Sequence, residues 1–127
     1  MPVFNLTDVA GTLFPAGRLT RVLVGPGAPA ELEKFVAGHV TIYPGGEVPG
    51  HAHEQEEMYF IISGDGIMEL SGEKTAVGAG SYAVIAPQQW HCLRNSSQEN
   101  LVMLFCYAPK GIVGHWQQEL QGTEEDK

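Results

Sequence analysis

The sequence predicts an all-β protein folded as a double-sheet sandwich or barrel, on three observations. Sixteen glycines and eight prolines cut the 127 residues into short apolar runs. Those runs are rich in β-branched and aromatic residues, and the breaks between them carry turn chemistry. A chain of this length makes one domain and buries roughly two thirds of its surface. Residues 1–127 therefore read as a single domain, with its chemistry in a core at 35–108 and a flexible acidic tail at about 122–127.

The expected strands are, in order, Arg21 to Val24, Phe35 to Tyr43, Met58 to Ser63, Gly66 to Leu70, Lys74 to Val77, Ser81 to Ile85 and Leu101 to Tyr107. Each is a short apolar run bounded by turn residues: Pro44-Gly45-Gly46, Ser63-Gly64-Asp65-Gly66, Ser71-Gly72-Glu73, Gly78-Ala79-Gly80 and Asn95-Ser96-Ser97. Two segments look different. Ala28 to Lys34 has the composition of one helical turn, and Val113 to Gln121 that of a final helix or arm.

Seven Lys and Arg against fifteen Asp and Glu leave a charge of -8, which removes the electrostatic drive for binding a phosphate backbone. No nucleic-acid partner is expected. No apolar run approaches the roughly 20 residues of a membrane span, and Met1-Pro2-Val3-Phe4-Asn5 has no basic start before an apolar core. The two cysteines, Cys92 and Cys106, form no spaced framework and are expected to be reduced. No membrane association is expected, and the cytoplasm is the expected location.

Between Gly45 and Gly64 the chain places His51, His53 and Glu57. On an extended segment, two imidazoles two residues apart leave the same face and can grip one ion. Glu57, past a bend, can add a carboxylate from the next strand. His91 follows later in the chain. With the observed frequencies of Gly, His and Glu, this spacing arises by chance at about a few in ten thousand over the whole chain. Three imidazoles and a carboxylate suit one divalent transition metal (Mn, Fe, Ni, Co, Cu or Zn), and without a thiolate the set is not a structural zinc cage. His39 and His115 have no partner at ligand spacing and read as structural or surface histidines. Gly45, Gly64 and Gly80 read as turn residues.

These residues resemble the cupin family. Its first motif, G(X)5HXH(X)3-4E(X)6G, is matched by Gly45, His51, His53, Glu57 and Gly64. Its second, G(X)5PXG(X)2H(X)3N, is matched by Gly80, His91 and Asn95. The second motif departs at Ala86 and Gln88, where the family has Pro and Gly, and a proline falls one place later at Pro87. The resemblance implies a jelly-roll β-barrel holding one metal through His51, His53, Glu57 and His91.

Tyr59 and Ile61 alternate with Glu57 and are expected to face the interior, which makes Tyr59 the nearest candidate to donate a proton or hydrogen bond to a substrate. Met58, Phe60 and Ile62 then face outward, an apolar set that calls for a cover and points to a homodimer. The other expected inward positions are Gly38, Val40, Val48, Leu104 and Cys106, with Cys106 as a small buried hydrophobe. Cys92 should point away from the ligands, and Trp90 either caps the pocket mouth or packs outside the barrel. None of the expected inward positions is Lys or Arg. That favours a small neutral or aromatic substrate, and oxygen chemistry of the dioxygenase type over an isomerase or lyase acting on a sugar or hydroxy-carbonyl compound. A non-catalytic cupin binding a small ligand or a metal is the remaining class.

Overall fold

Along Val36–Ile42 the even-numbered residues Val36, Gly38, Val40 and Ile42 are buried and the odd-numbered ones half-buried. That two-residue period belongs to a strand with one face on a core. The computed structural model describes residues 2–111, and Ile42, Leu93, Leu101 and Met103 are at most 1% exposed at its centre. Each such side chain contributes roughly 1.5–3 kcal/mol of burial.

A short 3-10 turn, Leu6–Asp8, is capped by Asn5, whose side-chain oxygen accepts from the Thr7 N–H at 2.9 Å. The strands are β1 (Thr12–Phe14), β2 (Arg18–Val24), β3 (Val36–Ile42), β4 (Glu47–His51), β5 (Glu56–Ser63), β6 (Gly66–Leu70), β7 (Glu73–Val77), β8 (Tyr82–Ile85), β9 (His91–Asn95) and β10 (Leu101–Ala108). They form two antiparallel sheets, one of six strands in the order β1-β2-β3-β10-β5-β8 and one of four in the order β4-β9-β6-β7. The expected all-β jelly roll is the observed architecture. Among the described residues no helix is long and apolar enough to cross a membrane.

Several local expectations are corrected. Ala28 to Lys34 is not helical: it forms bends and irregular chain, with Ala30 in a parallel bridge to Val24. β2 starts at Arg18, three residues before the expected Arg21. Strands β1, β4 and β9 are additional to the expected set. β4 hides because its sequence, Glu-Val-Pro-Gly-His, looks like a turn, and its ladder with β9 shifts register between Val48 and His51. The segments Val113 to Gln121 and 122–127, with His115, lie outside the described residues.

The largest correction concerns β10. Leu101, Met103, Phe105 and Tyr107 are its buried residues, while Leu104 is exposed and Cys106 half-buried on the opposite face. Both faces of the strand are apolar, so alternation does not identify the inner one. The larger side chains fill the barrel.

Candidate metal centre

His51 closes β4, His53 lies in the bend that follows, Glu57 is the second residue of β5, and His91 opens β9. The cluster therefore spans both sheets. Register brings its distant member in: His51 and His91 are partners across the β4–β9 ladder, with ring centroids 4.2 Å apart. The His53 ring lies 5.0 Å from that of His91 and 5.4 Å from that of His51. One ligand atom from each of the four residues lies within 4.8 Å of the others.

Backbone carbonyls orient the rings. His51 Nδ1 is 2.7 Å from Pro49 O, His53 Nδ1 is 3.2 Å from Gln55 O, and His91 Nδ1 is 2.8 Å from Gln89 O. A carbonyl oxygen only accepts, so each Nδ1 carries the proton and donates, and each neutral ring keeps its Nε2 lone pair for the centre of the cluster. His53 Nε2 stands 2.9 Å from Glu57 Oε1. Two lone pairs cannot face each other stably at that distance, so the pair calls for a proton or a cation between them. The hydrogen bond to Glu57 raises the His53 pKa above its ordinary 6.5 against the opposing effect of burial. Burial pushes the Glu57 carboxyl up, but the contacts and charge of His53 and His91 outweigh it and leave the group below the usual carboxylate range. His51 goes the other way, lowered to about 4 by burial and by the nearby His91. His91 Nε2 is buried without a hydrogen-bond partner, 3.4 Å from Glu57 Oε1. A buried orphan nitrogen beside converging donors fits a divalent metal ion.

The cluster lines a narrow pocket between the sheets, walled by Val40, Val48, Tyr59, Met103, Phe105 and Tyr107. Tyr59 lines it as expected, with its ring 5.8 Å from that of His91, and burial keeps its phenol protonated well above pH 10. Tyr107 also lines it and was missed. It pairs with Glu57 across β5 and β10, its ring is 6.2 Å from that of His53, and burial pushes its phenol up to about 12. The only signal for it was side-chain size along β10.

Arg18 overturns the expectation of an interior without Lys or Arg. It is 2% exposed and lines the same cavity. Its Nη1 donates to Glu47 O at 3.2 Å, and its guanidinium lies 4.2 Å from the centroid of the Phe14 ring. An expected strand that begins at Arg21 leaves Arg18 in the preceding turn, whereas β2 begins at Arg18 itself.

Neighbouring residues hold the site. The Trp90 ring packs against Gly50, where an added Cβ would lie 1.9 Å from Cζ2, so it braces β4 next to His51. Gln88, at a glycine position of the second motif, has φ +65°, so the turn keeps a left-handed conformation without the glycine. Its N–H donates to His53 O at 2.6 Å. Asn95 donates from Nδ2 to Ile42 O and Glu99 O at 2.9 and 2.7 Å, and its Oδ1 accepts from Ser97 N at 2.9 Å, which makes it a structural anchor for the β9–β10 connection. Cys92 is tied away from the ligands toward Glu47, 3.8 Å from Oε1, and burial raises its thiol to about 11. His39 lies apart from the cluster, its pKa lowered by burial and by Arg21.

The fold and the site define a small double-sheet β-barrel carrying a three-histidine, one-glutamate cluster. The chain belongs to the cupin family: the cupin domain model matches residues 38–107. It is 30% identical over 94 residues to an uncharacterized protein of Methanocaldococcus jannaschii, covering 73% of this chain and 74% of that one. It is 29% identical over 102 residues to gentisate 1,2 dioxygenase 1 of Aquipseudomonas alcaligenes, covering 75% of this chain. The matched segment spans only 29% of that dioxygenase's length. Among solved structures, the polyketide cyclase RemF of Streptomyces resistomycificus superimposes with a TM-score of 0.75 at 22% identity, over 87% of this chain and 80% of that one. At that identity the likeness concerns the fold.

Proposed function

We propose that the protein is a metal-dependent cupin enzyme that holds one divalent transition metal through His51, His53, Glu57 and His91 and converts a small molecule by dioxygenase-type chemistry. The observation that carries this reading is the convergence of three Nε2 atoms, each ring fixed by a backbone carbonyl, on the Glu57 carboxylate at a narrow pocket. A divalent ion there supplies a Lewis-acidic centre and, if redox-active, a route for electrons to dioxygen. The choice of oxygen chemistry rests on the resemblance to the gentisate dioxygenase.

The residues around the cluster divide the remaining work. The backbone carbonyls hold the imidazoles in one tautomer, and Glu57 supplies the one anionic ligand. Tyr59 stays protonated and offers its hydroxyl hydrogen to a substrate oxygen; Tyr107 offers a second. The apolar walls Val40, Val48, Met103 and Phe105 limit water in the cavity. Arg18 favours a second reading, an isomerase or lyase acting on a hydroxy-carbonyl compound, because a cation in the cavity suits substrates with anionic character. The test is metal analysis of protein purified without chelators or a nickel column, followed by a substrate panel with and without oxygen. Turnover that requires oxygen supports the dioxygenase reading, oxygen-independent turnover the isomerase or lyase, and inertness with every candidate metal a binding protein.

A further inference from the structure

Arg18 and Thr20 stand two residues apart on β2, so both side chains leave the strand toward the interior, where they are buried. Both wall the pocket that the cluster lines. Register sets them at its other end. Arg18 shares a row with Ile42 and Leu101 at the end of β3, whereas Glu57 shares one with Tyr107 and Val36 at its start. The second sheet repeats the arrangement: the Arg18 guanidinium is anchored on Glu47 O, where β4 begins, and His51 closes that strand. The pocket therefore has two polar ends, with Val40, Met103 and Phe105 along the wall between them.

We propose that Arg18, with the Thr20 hydroxyl beside it, binds a carboxylate of the substrate. The substrate is then a monocarboxylic acid whose second oxygen function, a hydroxyl or carbonyl, is carried away from the carboxylate on a short carbon skeleton and faces the cluster. This deepens the enzyme reading and rests on it for the cluster end alone. Charge is the first argument. Apart from the clustered residues, Arg18 is the one charged side chain among the described residues that wall the pocket. One guanidinium matches one carboxylate in charge and in planar shape, whereas a phosphate brings a tetrahedral head and up to two charges. A net charge of -8 also works against the approach of a multiply charged anion. Preorganisation is the second. Glu47 O, 3.2 Å from Nη1, and the Phe14 ring, 4.2 Å from the guanidinium carbon, hold the fork in place, so binding costs little side-chain ordering. Position is the third. Burial and the Glu57 charge raise the Tyr59 phenol, and Arg18 is the cation that opposes them, so its charge is felt inside the pocket.

Calorimetric titration of the full chain, metal-loaded and chelator-treated, with 4-oxopentanoate and 4-hydroxybenzoate against their amides tests this. At least one acid should bind about 10-fold or more tightly than its amide in both forms of the protein. Arg18→Met should abolish that preference, and Arg18→Lys, which keeps the charge but not the fork, should reduce it, with metal content and the circular dichroism spectrum unchanged. A residue that only braces β1 against β4 would change the melting temperature and leave the acid-to-amide ratio alone. Acid and amide bound alike by the wild type, no binding of either acid at millimolar concentration, or a preference that survives Arg18→Met overturns the proposal. If Arg18→Met does not fold, the wild-type ratio and Arg18→Lys decide, and a ratio unchanged by Lys overturns it. A chain that holds no metal yet keeps the acid preference leaves Arg18 as a carboxylate site and removes the enzyme reading.

Discussion

His51 and His91 are partners across the β4–β9 ladder, 40 residues apart in sequence and 4.2 Å apart between ring centroids. β9 is itself flanked by β4 and β6, so His91 sits in an interior strand with no exposed surface. The half of the cluster that comes from this sheet is therefore as rigid as the sheet.

Metal content is expected to depend on that pairing. The wild type should hold one equivalent by elemental analysis, and the double variant His51→Ala/His53→Ala should hold none. His91→Ala removes one donor and should weaken affinity at least about 10- to 100-fold. A double variant that keeps a full equivalent would falsify the ligand assignment.

The metal-free protein should be most stable near pH 6.5. His51, lowered to about 4, stays neutral in the fold while the unfolded chain takes up a proton below 6.5, so acidification from 6.5 to 4 costs on the order of 3 kcal/mol. His53 is raised, so its contribution is complete below 6.5 and is lost as pH rises through its folded value. The lowered Glu57 adds stability above its ordinary value that is lost only in stronger acid. Denaturant melts of chelator-treated protein from pH 4 to 8.5 check this, and stability that rises steadily above pH 7 contradicts it.

Tyr59→Phe is expected to lower turnover roughly 10- to 100-fold with metal content unchanged, because it deletes a protonated hydroxyl from the cavity wall and leaves the ring in place. Tyr107→Phe separates the two phenols. Comparison of kcat and KM for both variants decides which one meets the substrate, and an unaffected Tyr59→Phe removes Tyr59 from the mechanism.

Gln88 is exposed and held at φ +65°. Gln88→Gly removes the left-handed penalty and adds unfolded-state entropy, so it should be neutral or stabilising by up to about 1 kcal/mol. Gln88→Val should cost about 1–2 kcal/mol, since a β-branched residue tolerates that conformation worst. Equal melting temperatures for the two variants would show that the turn relaxes instead.

The fold class and all four clustered side chains are legible in the sequence, and for three of the four the signal is local. Turn residues punctuate short runs, and His51, His53 and Glu57 lie within seven residues on either side of one bend, where spacing alone brings them close. Tyr59 followed from alternation with Glu57 along β5, where buried and exposed positions alternate from Glu56 to Ile62.

Tertiary structure decided the rest. The sequence names His91 with the other ligands, but only the β4–β9 register sets its ring opposite His51. Two apolar faces on β10 left the inner one to be chosen by volume, and packing chose Met103, Phe105 and Tyr107 over Leu104 and Cys106. Arg18 is a charged residue at a strand start, which a sequence reading assigns to solvent. Closure of the barrel over Phe14 and Glu47 buries it instead, because the ring face and a backbone carbonyl offset its desolvation.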